Sequence, residues 1–481
     1  VVATDVVGRE HELATVARLL DQRRAGPWAV IIEGDAGIGK TTLWEAALDL
    51  ARDRSWRVLA ARPAEAEIRF SYVAVRDLLG PLIDETIHGL PGPQRRAVET
   101  AFLRAEGRAD AHAVSAGVLG MLRAASASAP VVVGIDDLQW LDAASARVLE
   151  FALRRLTMEP VGVVAASRPP GRGPVPLSLE RAFGGRPLRM VAVGPMPIGE
   201  LHRLVHARLG TWLPRPVLRR VHAASGGNPF FTLEIARSLI RRGMPADALP
   251  VPATIGELVR DRLEPLSLSA REALLVVSAA PRAPVALVAT AAGQDGQIAA
   301  GLAEAEDAGI LTRADGGLEF THPLLASVVY SQVPPARRRR LHRAIAAALT
   351  GSGTDGGANA RARAWHLGLG AEGPDAGIAE VLDAAAAAAR SAAAPEGAAG
   401  LAELARKLTP AGRDRDRIRR TLDLAQYLFE AGTPQAPARS WKRSWPRWPP
   451  DRTARGCSCA WPSCGTGRKA SLPARPAPGR R

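Results

Sequence analysis

The stretch from Ala29 to Ala47, "AVIIEGDAGIGKTTLWEAA", decides the fold. An apolar run leads into Gly34, and Gly39, Lys40 and Thr41 follow at the G-x-x-x-x-G-K-[ST] spacing, between a strand-like and a helix-like segment. In that setting, backbone N–H groups of a glycine-rich turn and a helix N-terminus converge on phosphate oxygens. Gly34, Gly37 and Gly39 permit the turn, Lys40 supplies a point charge, and Thr41 offers a hydroxyl to Mg²⁺. The expected phosphate contacts are therefore Gly34, Asp35, Ala36, Gly37, Ile38, Gly39, Lys40, Thr41 and Thr42.

Working outward, "WAVIIEG", "PVVVGIDD" and "PVGVVAAS" are almost wholly apolar runs. Runs without alternation suit central strands of a parallel sheet covered on both faces. "WRVLAA" and "LRMVAVG" read as further strands with helical patterns between them, and Glu10 to Arg24 as an amphipathic helix. The prediction is a doubly wound α/β P-loop NTPase domain over residues 1–195. A P-loop site also needs a carboxylate at the end of a neighbouring strand, and "VVVGIDDLQWLD" supplies one. Asp136 is the expected metal ligand with Thr41, Asp137 would orient or deprotonate the attacking water, and Asp142 suits a helix cap. Asp137 is one methylene shorter than the Glu of fast ATPases with this layout, which points to slow hydrolysis.

Residues 196–250 read as a helical group interrupted by "SGGNPF". Residues 251–335 give three helices and then "ILTRADGGLEFTH", where Asp315-Gly316 is a hairpin signal; this is the winged-helix order. Residues 336–430 are Ala/Leu-rich and helical, with "GSGTDGGANA" as a loop, and read as the start of a TPR-like superhelix.

The formal charge of +15 looks like a nucleic-acid signal until it is located. From Ala431 onward there are 11 basic residues and one acid, Asp451, so this tail holds +10 and the remainder +5. The tail also contains all three cysteines, Cys457, Cys459 and Cys464, and four of the ten tryptophans. One reading is a basic arm for nucleic acid or lipid headgroups. A second is a zinc site, although Cys-x-Cys-x4-Cys lacks a fourth ligand. The third is a frame shift near Gly432: with G+C-rich codons, Arg439 onward read two bases downstream becomes "ELEEVVAPLAPGPDRARLLLRLAVV", an amphipathic helix, a turn and another helix. Residues 431–481 are therefore read as a frame-shifted, disordered tail. Nothing in the sequence is apolar for long enough to span a bilayer, and the N-terminus carries Asp5, Arg9, Glu10 and Glu12 where a signal peptide needs an apolar core. A cytoplasmic protein without a membrane partner is expected.

The motifs "VGREHEL", "GDAGIGKTTL", "DDLQWLD", "ASRP", "SGGNPFF" and "FTHPLL" occur in that order. Together they resemble the ATP-binding core of large LuxR-type regulators of high-G+C bacteria, MalT-like members of the STAND class of signalling NTPases. The resemblance covers residues 1 to about 430. It implies that Val7, Gly8 and Arg9 lie against adenine and ribose, and that Pro229 packs on the base from a helical lid. It also implies that Arg168 reaches the γ-phosphate from a sensor strand and that His322 touches the β-phosphate of ADP. An Arg at a strand's C-terminal end does face the ligand crevice, whereas a lone His before Pro also suits a turn cap.

Full-length members end in a long helical repeat and a LuxR-type helix-turn-helix, and neither is found here. The third helix of the winged-helix region, "QIAAGLAEAEDAG", has three acids and no base, a poor match to DNA phosphates. The "RRRR" run at Arg337 to Arg340 reads as a solvated helix face. The overall expectation is an ATP/ADP- and Mg²⁺-dependent switch that hydrolyses slowly, without specific DNA binding by this chain. The resemblance adds an inducer or regulatory protein as partner and self-association in the ATP state. The alternatives are an AAA-type ATPase coupled to remodelling or loading, and a non-functional truncated product.

Overall fold

The computed structural model describes residues 6–21, 26–105, 107–169, 176–241, 259–260, 262–293, 295–314, 317–351 and 357–431. The basic tail from 432 and the Asp315-Gly316 turn lie outside the described residues.

The apolar runs form a parallel sheet of five strands in the order β2-β3-β4-β1-β5. These are β1 (Trp28–Glu33), β2 (Arg57–Ala61), β3 (Val131–Ile135), β4 (Val161–Ser167) and β5 (Leu188–Ala192). Alternate residues of each strand enter different cores. Ala29, Ile31, Val131, Val133, Val163 and Ala165 pack with helices drawn from Val73–Phe183. Val30, Ile32, Val132, Val164 and Ala166 pack with helices Glu10–Asp21 and Lys40–Asp53. Because both faces are covered, β1, β3 and β4 show no polar alternation, while edge strand β5 is largely exposed. Gly162 makes room for a tryptophan: a Cβ there would collide with the Trp28 ring. Trp44 is locked from the P-loop helix by its indole N–H donating to the Val164 carbonyl at 3.0 Å.

Strand order positions the chemistry. β4 lies between P-loop strand β1 and acid-bearing strand β3, so the segments after β1, β4 and β3 emerge side by side at the carboxyl edge. That edge is where open α/β sheets bind ligands.

Three helices follow, Ile198–Leu209, Arg215–Ser225 and Pro229–Arg241, broken before the last at Gly226 and Gly227, both at positive φ. Helices Leu268–Ala279, Val285–Ala292 and Asp295–Asp307 then precede an antiparallel hairpin, β6 (Leu311–Ala314) and β7 (Gly317–Phe320). This hairpin module has its own core, built around Leu274, Ile298, Leu302, Leu311 and Leu318. Six more helices run from Pro323 to Glu430. Helix Gly357–Gly370 begins inside "GSGTDGGANA", so that stretch is not all loop: its last residues have a helix to join.

The helical segment folds back onto the sheet domain, which the sequence reading did not anticipate. The Tyr72 hydroxyl donates to the Ala393 carbonyl at 2.7 Å, the Ala109 N–H donates to Ser391 O at 2.9 Å, and Arg147 pairs with Glu396. Ala394 is fully buried in the sheet domain's core. Among the described residues, no helix is long and apolar enough to cross a membrane.

Candidate functional site

The loop after β1 turns through Gly37 (φ 78°) and Gly39 (φ 101°) into helix Lys40–Asp53. The first N–H groups of a helix have no carbonyl one turn behind them and so remain as donors for an anion. The Lys40 ammonium donates to the Asp35 carbonyl at 2.9 Å, inside its own loop. Burial lowers its pKa, and repulsion from Arg168 adds to this, against attraction from Asp137, Asp136 and Asp35.

The nine loop residues expected as contacts divide. Ala36, Gly37, Gly39, Lys40, Thr41 and Thr42 line an interdomain cavity of about 1580 Å³. Gly34, Asp35 and Ile38 do not line it. Gly34 donates its N–H to Ser167 O, Ile38 donates to Asp35 O, and the Ile38 side chain is buried in the sheet core. Gly34 and Ile38 are buried, whereas the Asp35 side chain is exposed and its carbonyl serves the loop.

Asp136 and Asp137 follow β3 and both are buried. Burial pushes the Asp136 carboxyl up to about 7, and the Asp137 charge adds to the rise; a hydrogen bond from the Thr41 side chain and the Asp137 N–H oppose it. Asp137 sits at φ 48°, a left-handed conformation that turns its side chain out of the strand direction. Its carboxylate accepts from the Gln139 side-chain amide at 2.6 Å, and the Gln139 carbonyl oxygen accepts from the Arg168 N–H at 3.2 Å. Gln139 thus bridges the acid strand to the end of β4. The Arg168 guanidinium lies 4.8 Å from the Trp140 ring centroid, and its Nε is buried without a hydrogen-bond partner. Gln139 and Trp140 lay inside a quoted motif, but the sequence reading gave them no role.

The resemblance-derived contacts divide as well. Val7, Arg9, Pro229 and His322 line the cavity with Arg168. Gly8 does not reach its wall; a Cβ there would lie 2.7 Å from Glu200. Arg9 is committed to bracing, because its guanidinium donates to Gly194 O at 2.6 Å and Ile38 O at 3.2 Å and pairs with Glu12.

Pro229 opens helix Pro229–Arg241, and that helix's N-terminus is bonded to the P-loop. The Phe230 N–H donates to Gly37 O at 3.2 Å, and the Asn228 amide donates to Ala36 O at 2.9 Å. His322, just past β7, stacks on Phe230 with ring centroids 4.2 Å apart. Burial lowers the His322 pKa to about 4, with repulsion from Lys40, Arg168 and Arg262, so the ring is neutral near pH 7. Arg262 pairs with buried Glu234 and donates to Gly309 O, which ties this helix to the hairpin module.

The donor set suits a polyphosphate with Mg²⁺. Lys40 and Arg168 offer positive charge on the cavity wall. Thr41 and Asp136 offer the hard oxygen ligands Mg²⁺ prefers, and the burial cost on Asp136 is one that a divalent cation offsets.

Residues 5–164 match the family model described as the AAA ATPase domain. The chain therefore carries an AAA-type P-loop ATPase domain; the match includes the P-loop and the acid pair and ends before Arg168. An uncharacterized protein of Rhizobium meliloti is 26% identical over 397 residues, 71% of this chain, and the chain spans only 36% of that protein's length. Among solved structures, a signal transduction ATPase with numerous domains and a tetratricopeptide repeat sensor, from Pyrococcus horikoshii, aligns over 91% of this chain and 64% of its own. Its identity is 13% and its TM-score 0.49. The ORC1 protein of Aeropyrum pernix in complex with DNA aligns over 68% of this chain and 93% of its own, at 15% identity and a TM-score of 0.35.

Proposed function

We propose that this chain is the nucleotide-operated switch of a signalling ATPase, the core of a LuxR-type, MalT-like regulator. In this reading, helices 198–241 are a lid and the hairpin module is a winged helix closing over ATP or ADP. The observation that carries it is the three-way junction at Phe230. The lid helix bonds to the P-loop through Phe230 and Asn228, and His322 of the winged-helix side stacks on the same Phe230. A change in phosphate occupancy at Gly37 is therefore felt directly by both covering modules. A ligand shifts such an equilibrium by its differential affinity for the two arrangements.

Lys40 and the loop N–H groups would hold the β-phosphate, and Arg168 the γ-phosphate. Thr41 and Asp136 would hold Mg²⁺, which supplies charge neutralisation on the phosphate oxygens when bound. Asp137 orients the attacking water and accepts its proton, with Gln139 fixing the carboxylate. Val7 and Pro229 border the base, and His322 is a neutral hydrogen-bonding group for ADP.

Direct DNA reading is not part of the proposal. On helix Asp295–Asp307, Glu304 binds Ser267 and Glu306 pairs with Arg313, and the helix offers phosphates no cation. Self-association in the ATP state and an inducer or protein partner belong to the same proposal.

A remodelling ATPase would share the domain and the acid pair, and turnover separates the two readings. A switch should hydrolyse ATP well below the ~1 s⁻¹ at the low end of ordinary enzymes and keep its ADP through gel filtration. Turnover in the ordinary range with rapid ADP loss would favour remodelling.

A further inference from the structure

The three helices after the sheet carry a charge excess that lies largely outside the nucleotide cavity. Residues 198–241 hold seven arginines against two carboxylates, an excess equal to the +5 of the whole chain outside its tail. Both carboxylates are already paired, Glu200 with Arg203, and Glu234 with Arg237 and Arg262.

The excess concentrates on helix Arg215–Ser225, which contains no acid. Arg215, Arg219 and Arg220 are exposed, and among the described residues none of them has an ion pair. Arg215 and Arg219 are four apart, so their side chains are neighbours on one face, and like charges at that spacing are destabilising. An anion between them removes the repulsion, and each guanidinium fork matches phosphate oxygens. The opposite side of the helix, Leu218 and Val221, is buried in a small core with Val205, Leu213 and Leu239. The helix therefore keeps no broad apolar face to lay on a bilayer.

An aromatic platform adjoins these cations. Trp212 stands in the turn leading into the helix, three residues before Arg215, and is 53% exposed. The His206 ring stacks on it with centroids 4.0 Å apart and planes 11° apart, and His202 meets it edge-on at 4.6 Å. His202 Nε2 and His206 Nδ1 are buried without a hydrogen-bond partner, so the imidazoles serve the indole as a stacking bed. An exposed indole beside unpaired arginines is the combination that holds a nucleic-acid strand without reading its sequence, because bases stack while phosphates pair.

We propose that this face of the helical group is a docking surface for single-stranded nucleic acid. A base stacks on Trp212, and neighbouring phosphates sit on Arg215 and Arg219. The contact is independent of sequence and does not depend on the switch reading above.

The test is fluorescence anisotropy of the full chain with labelled oligothymidylate and oligouridylate across a salt series, with photocrosslinking to map the contact. Binding of both is expected, with cross-links at Trp212, and the tighter of the two identifies the strand as DNA or RNA. The double variant Arg215→Gln with Arg219→Gln should weaken binding about tenfold or more. It should also lower the salt slope by about 1.4, at roughly 0.7 per phosphate neutralised on a single strand. Trp212→Ala should weaken binding about tenfold, the loss of one base stack, whereas Trp212→Phe should keep most of the affinity. Thermal melting reports whether each variant is folded; if Trp212→Ala is not, the arginine pair decides. Wild-type affinity and salt slope in the folded arginine variant would overturn the proposal. So would cross-links confined to residues 432–481, which would assign binding to the basic tail. Equal competition by polyglutamate, which has charge but no bases, or capture by phosphatidylserine vesicles without oligonucleotide binding, would overturn it as well.

Discussion

Asn228 has two separable jobs, so it tests the proposal that helices 198–241 act as a lid. Its side-chain oxygen accepts from the Phe230 N–H at 3.1 Å and the Phe231 N–H at 3.4 Å, capping helix Pro229–Arg241. Its amide nitrogen donates to Ala36 O at 2.9 Å, fastening that helix to the P-loop. Asn228→Ser keeps a capping oxygen but is too short to reach Ala36, and Asn228→Ala removes both functions. The lost lid bond is worth about 1 kcal/mol, and the lost cap about 1 kcal/mol more. Stopped-flow release of a fluorescent ADP should therefore be about fivefold faster in the Ser variant. The Ser variant should melt close to wild type, whereas the Ala variant should release as fast or faster and also melt lower. If Asn228→Ser releases ADP at the wild-type rate, the bond to Ala36 is not what holds the lid closed. If Ser and Ala lose stability equally, the division between cap and latch is wrong.

Lys40→Ala should weaken ATP binding by at least about tenfold with unchanged circular dichroism; unaltered affinity in calorimetry would remove the P-loop from the site. Asp137→Asn should slow single-turnover hydrolysis by about a hundredfold or more, as losing a general base does, with little change in ATP affinity. His322→Ala should speed ADP release and leave ATP affinity nearly unchanged, and unchanged release would return His322 to a turn-capping role. His366 carries a pH signature. Its pKa is lowered to about 3 by burial and by His342, so its contribution is complete above the unfolded value near 6.5 and is lost as pH falls below it. Between pH 6.5 and 4.5 this single group should cost about 2–3 kcal/mol. Urea melts of His366→Gln should show a correspondingly flatter acid limb, and parallel curves would refute the assignment.

The sequence by itself determined the nucleotide-binding half of the fold. Spacing in a P-loop is local chemistry: the glycine conformations, Lys40 and Thr41 are fixed within one turn and one helix start. Unbroken apolar runs identified β1, β3 and β4, because burial on both faces leaves no polar residue to alternate. Asp136 and Asp137 were legible for the same reason, as two acids directly after such a run. Tertiary structure decided what depends on distant partners. Strand order, with β4 between β1 and β3, brought Arg168 beside the acid pair. The bridge from Gln139 to Arg168 and the bond from Asn228 to Ala36 join atoms 29 and 192 residues apart. The resemblance implied that Arg9 lies against the nucleotide; in the fold it lines the cavity while its guanidinium donates to the Ile38 and Gly194 carbonyls. The cavity as a whole had no sequence signature, since its lining comes from separate elements that meet when the chain folds. Periodicity reports which face of an element is buried; what it is buried against is decided when the elements pack.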